Sequence, residues 1–139
     1  MGIPEVTEVS ASHLTTLCVL IFILKQLLGD FFLQTRWMAS GKESKTDWLL
    51  PLAAHAAIHA ALTLSICLIF APHLAWLAIV DFIVHFVIDR AKAVTKISYG
   101  LTADRRAYWW LFGTDQTLHH LTHLAFAATI AASLGKTVS

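Results

Sequence analysis

Charge is scarce in this chain. Of its 139 residues only 14% are Asp, Glu, Lys or Arg, against 57% hydrophobic, and the mean hydropathy is +0.66. So lean a charge complement excludes a soluble globule, because the apolar residues arrive in blocks of about the ~20 needed to cross a bilayer. The few basic residues are scattered, which excludes a nucleic-acid patch and a nucleic-acid partner. Cysteine is scarcer still. Cys18 and Cys67 form no CxxC pair, so neither a disulfide framework nor a thiolate metal site is expected, and both read as small buried hydrophobes. No internal repeat is present. The N-terminus has Glu5 and Glu8 where a secretion signal has its basic region, so it is expected to stay in the mature protein.

What the sequence does contain is four apolar blocks. They predict an all-α fold: an integral membrane four-helix bundle forming one transmembrane domain over residues 1–139, with spans near 13–34, 48–70, 74–94 and 108–134. Pro51 falls in the first turn of the second span, where its missing N–H costs least. Pro72 marks a tight turn, and SGKESKTD (40–47) is loop by composition. Arg36, Lys42 and Lys45 flank the first connection, and Arg90, Lys92, Lys96, Arg105 and Arg106 flank the third. Lys and Arg favour the cytoplasmic side, so both termini are expected on the extracytoplasmic side. Trp37, Trp48, Trp109 and Trp110 then fall at one interface and Trp76 at the other, as aromatic belts do.

Against this apolar background stands DFIVHFVIDRAK (81–92). Helical spacing of four puts Asp81, His85 and Asp89 on one face. Similar stripes occur in the other spans: Gln26, Asp30 and Gln34; His55 and His59; Asp115, His119 and His123. At 1.5 Å per residue from the cytoplasmic ends, Asp30, His55, Asp89 and Asp115 come out about 8 to 10 Å deep, and His59, His85 and His119 about 14 to 16 Å. A carboxylate facing lipid costs ~2.5 to 3.5 kcal/mol even on insertion scales, so these faces are expected to meet inside the bundle. Lys25 lies at the height of Asp81 and is expected to pair with it.

Carboxylates and neutral imidazoles together form a divalent-metal ligand set, with zinc the default and manganese or iron alternatives where carboxylates dominate. HxxxH alone more often marks hydrogen-bond partners between helices. The DxxxHxxxD stripe is the stronger signal, since intramembrane carboxylates demand a partner. There are more candidates than one tetrahedral shell can take, so some must serve outer positions or a second ion.

GDFFLQT (29–35), HAAIH (55–59), HFVIDRAK (85–92) and DQTLH (115–119) resemble the pattern of the bacterial membrane proteins catalogued as domain of unknown function 3307. That family is similar in layout to predicted inner-membrane metal-dependent hydrolases. The resemblance implies a multi-pass protein of the bacterial inner membrane whose functional core is Asp30, His55, His59, His85, Asp89, Asp115 and His119. Gln34, Lys92 and Gln116 lie close by. Asp81 and His123 extend the stripes without being family positions and are assigned outer roles.

The leading functional reading is a metal-dependent hydrolase. The ion would bring a bound water toward neutral pKa, Asp89 or Asp115 would take its proton, and Arg90, Arg105 and Arg106 would hold a lipid or lipid-linked phosphate at the cytoplasmic surface. The alternative is a proton or divalent-cation transporter or channel subunit using the same cluster, alone or as a homo-oligomer with a pore between subunits. Haem ligation by paired His is opposed by the neighbouring carboxylates, since a porphyrin needs apolar walls. A purely structural membrane subunit is the fourth reading.

Overall fold

The computed structural model describes residues 4–138, and side chains from 11 to 136. Five α-helices run along the chain: α1 (Pro4–Leu27), α2 (Arg36–Gly41), α3 (Leu49–Phe70), α4 (Leu77–Ser98) and α5 (Arg106–Val138). No strand occurs among the described residues. The four long helices lie where the apolar blocks predict. α2 is an addition: Thr35, whose hydroxyl accepts from Met38 N–H, starts a short helix that lies mostly ahead of the 40–47 loop and takes only Ser40 and Gly41 from it. Two helical stretches, Ala11–Phe32 and Leu49–Phe70, are long and apolar enough to cross a membrane. α4 and α5 are as long but more polar; α4 alone carries Asp81, Asp89, Arg90, Lys92 and Lys96.

Local chemistry sets the helix ends. α1 does not stop at Leu27 but widens into a π-helical turn over Leu28–Phe32. Pro72 opens the one-turn 3-10 helix Pro72–Leu74 that reverses the chain between α3 and α4. α4 is closed just past its end by Gly100, whose φ of +56° suits glycine. There Leu101 N–H returns to the Lys96 carbonyl and Gly100 N–H to that of Ile97, closing the last carbonyls.

α3 packs along α4, α4 against α5 and α5 along α1, while α1 and α3 meet over a much shorter stretch. The interior has two unlike halves. Toward the α3–α4 turn it is apolar: Cys18, Phe22, Cys67, Leu77, Phe126, Ala127 and Ile130 form the core. Both cysteines are buried and free there, as small hydrophobes would be. Toward α2 the interior is polar. Among the described residues 12 polar or charged side chains are buried, while 27 large hydrophobic ones, including Phe31, Phe32, Leu50, Ile69 and Ile79, face outward.

Candidate metal centre

The stripes turn inward and meet as three clusters, each offering three ligand atoms within 4.8 Å of one another: Asp30, His55 and His59; Asp89, Asp115 and His119; Asp81, His85 and His123. The first joins α1 to α3. Asp30 sits in the π turn, which winds less per residue than the ~100° of an α-helix and so keeps Asp30 in line with Gln26. Gln26 Nε2 donates to Asp30 Oδ2 at 2.6 Å. His59 Nε2 lies 3.1 Å and His55 Nε2 3.4 Å from Asp30 Oδ1. Gly29 makes this approach feasible, because a Cβ there would fall on the His59 ring.

The second cluster joins α4 to α5. His119 Nε2 lies 3.1 Å from Asp89 Oδ1 and 3.5 Å from Asp115 Oδ1. Lys42 donates to Asp89 Oδ2 at 2.8 Å and Lys92 to Asp115 Oδ2 at 3.2 Å, with Gln116 adding a bond to the same oxygen at 3.1 Å. The first two clusters touch through His55, whose Nε2 is 3.3 Å from Asp89 Oδ2.

The third lies deeper. Asp81 receives Lys25 at 2.7 Å, the expected pair, and Thr63 at 2.6 Å, both on Oδ2. Its Oδ1 is 3.0 Å from His85 Nδ1 and 3.5 Å from His123 Nε2, which in turn lies 2.9 Å from Lys25 Nζ. Thr63→Val keeps the shape and removes one donor to a buried carboxylate. It is expected to cost about 1.5 to 3 kcal/mol, read from the unfolding of the purified protein.

The two predicted layers are present. His85 is the centre of the deeper one, stacked on His59 at 3.9 Å and on His119 at 4.1 Å between ring centroids. Of the shallower layer, Asp30, Asp89 and Asp115 border a cavity of about 290 Å³ lined also by Gln34, Lys42, Glu43, Lys92, Phe112 and Gln116. His55 and the His of the deeper layer do not line it. Gln34 belongs to the cavity wall, its side chain donating to the Asp30 carbonyl at 3.0 Å.

The three arginines assigned to substrate do not reach this cavity. Arg90 lies over the Trp48 ring at 3.8 Å and donates to the Ser44 carbonyl; Arg105 and Arg106 are exposed at the start of α5. Lys42 and Lys92 are the cavity's cations, and Glu43 joins them through Lys92 at 3.7 Å and Lys96 at 2.5 Å. Lys42 and Glu43 escape a reading by stripes because they sit in a connection without helical period, whereas Thr63 continues the four-residue spacing of His55 and His59 and is open to it.

The donor set fits a divalent cation. Bonds of ~2.0 to 2.2 Å hold neighbouring donors about 3.0 Å apart in octahedral and about 3.5 Å in tetrahedral geometry, and the carboxylate–imidazole separations of the first two clusters run from 3.1 to 3.5 Å. Buried polar atoms normally have partners. Here both ring nitrogens of His55, Nδ1 of His59 and of His119, and Oδ1 of Asp115 are buried with no hydrogen bond.

Fold and site thus define an all-helical protein with an apolar exterior and an interior built of carboxylates, imidazoles and ammonium groups. The family model described as "Protein of unknown function (DUF3307)" matches residues 18–139, and the chain belongs to that family. No curated protein and no solved structure matches it.

Proposed function

We propose that this protein is a multi-pass protein of the bacterial inner membrane and a metal-dependent hydrolase of lipid or lipid-linked phosphate esters. Support for the membrane lies in the inverted distribution of side chains, polar within and apolar without, which suits a solvent of hydrocarbon. In this reading α1, α3, α4 and α5 all cross as a four-helix bundle. The basic connections and Trp37, Trp48, Trp109 and Trp110 sit at the cytoplasmic face, with both termini outside.

One observation carries the catalytic reading. His55 is 1% exposed, has no hydrogen bond at either ring nitrogen, and aims Nε2 between two carboxylates, 3.4 Å from Asp30 and 3.3 Å from Asp89. A cation satisfies all three. The ligands of zinc, or of manganese or iron, would be drawn from Asp30, His55, His59, Asp89, Asp115 and His119. When bound, the metal supplies Lewis acidity and an acidified water. Asp89 borders both the cavity and His55 and takes the proton of the attacking water. Lys42 and Lys92 hold the phosphoryl oxygens, Gln34 and Gln116 flank them, and the proton on Asp89 passes to the departing alcohol as the P–O ester bond breaks. The apolar core beyond Phe22 and Cys67 closes the far half of the bundle, which favours a site over a conduit.

Purified protein with Zn²⁺ or Mn²⁺ bound is expected to release inorganic phosphate or a phosphorylated head group from bacterial lipid extract. Intact lipid after prolonged incubation, with metal occupancy demonstrated, overturns the hydrolase.

A further inference from the structure

We infer that one divalent ion is held by Asp30, His55 and His59 alone, and that Lys25, Lys42 and Lys92 stand as permanent cations of the other two clusters. The inference rests on the metal-centre reading above and narrows it to one site.

Charge separates the clusters. Asp81 is bonded to Lys25 at 2.7 Å, Asp89 to Lys42 at 2.8 Å and Asp115 to Lys92 at 3.2 Å. Asp30 receives only Gln26, His55 and His59, and no ammonium group lies within ion-pair distance of it among the described residues. Three buried carboxylates and the partly buried Asp30 thus face three ammoniums, and Asp30, the uncompensated one, has two buried imidazoles at its side. Burying an ion without its counter-charge is costly, so the cation deficit falls at Asp30.

Geometry prevents one ion from serving both remaining sets. The His59 and His119 rings lie on opposite faces of His85, tilted from it by 22° and 27°. Their centres are therefore roughly 8 Å apart and their ring nitrogens no closer than about 5.6 Å, whereas an ion with ~2.1 Å bonds spans at most about 4.2 Å between donors. His85 itself is tied to Asp81 through Nδ1 and belongs to the deeper cluster.

The structure around Asp30 is built for proximity. The π turn keeps the carboxylate facing inward, and Gly29 leaves the space that the His59 ring fills. Two imidazoles and one carboxylate are the protein share of a catalytic zinc site with one position left for water. His55 Nε2 is 3.3 Å from Asp89 Oδ2, so Asp89, already bonded to Lys42, stands next to that position as a proton acceptor and not as a ligand.

The test is zinc content by elemental analysis of full-length purified protein dialysed against Zn²⁺ alone, repeated with Co²⁺ and its visible ligand-field absorption. Wild type is expected to hold one equivalent. Asp30→Asn, His59→Gln and Gly29→Ala are expected to weaken binding by at least the ~10- to 100-fold that loss of an outer support costs, and to abolish the Co²⁺ bands. Asp115→Asn, His119→Gln and the Lys25→Met/Asp81→Asn pair are expected to keep the full equivalent. Gly29→Ala removes no ligand, so it tests the site if Asp30→Asn does not fold. Two equivalents in wild type, or loss on His119→Gln with retention on His59→Gln, overturns this inference and leaves the metal centre standing. No metal in folded wild type overturns both.

Discussion

Lys25→Met is expected to destabilise the protein by about 3 to 5 kcal/mol, the largest stability loss of any single side chain in the bundle. The ammonium is 3% exposed and Asp81 is fully buried, so its removal leaves a carboxylate with one hydroxyl and two imidazoles as its remaining partners. Asp81→Asn alone strands the ammonium against His123 and is expected to cost nearly as much. The double variant removes both charges and is expected to recover most of the loss, because a neutral Met and Asn need no counter-ion. Denaturant unfolding of the four proteins measures the coupling. Additive losses would mean that the two side chains do not act as a pair.

The largest catalytic effect is expected at Asp89. Asp89→Asn keeps size and hydrogen bonding to Lys42 but removes the proposed proton acceptor beside His55, and turnover of the proposed phosphate-ester substrate is expected to fall by about 10²- to 10⁴-fold. Metal content is expected to stay at the wild-type level if the ion is held, as inferred, by Asp30, His55 and His59. Parallel measurement of phosphate release and bound zinc separates the roles: a fall in both together would make Asp89 a ligand.

Much of this arrangement was legible in the sequence because two periodicities overlap in it. Asp81, His85 and Asp89 recur every four residues inside an apolar run, which fixes both the helix and the face that must be satisfied. The depth count then placed His59, His85 and His119 in one layer, and their rings stack in it. The pairing of Lys25 with Asp81 followed from height alone. What stayed hidden depends on chain segments without period. Nothing in SGKESKTD says that Lys42 folds back to Asp89, because a loop's path is set by tertiary contacts and not by its own pattern. The arginines illustrate the converse. Arg90 sits two residues from Lys92, yet those two steps of the helix, about 200°, turn its guanidinium onto Trp48 and away from the cavity. The π turn was likewise unreadable, since LGDFF has no feature that forbids an ordinary helix.

The side of the bundle where α1 and α3 meet is its least packed, and it is there that Asp30 reaches His55 and His59. Whatever cation fills that trio therefore works as a clasp, fastening two helices that their own surfaces hold together only weakly. Ligand and architecture are linked by mass action: a concentration a thousand times the dissociation constant adds about 4 kcal/mol to the closed form. Starved of its ion, the protein would loosen first along this edge, with the rest of the bundle still in place.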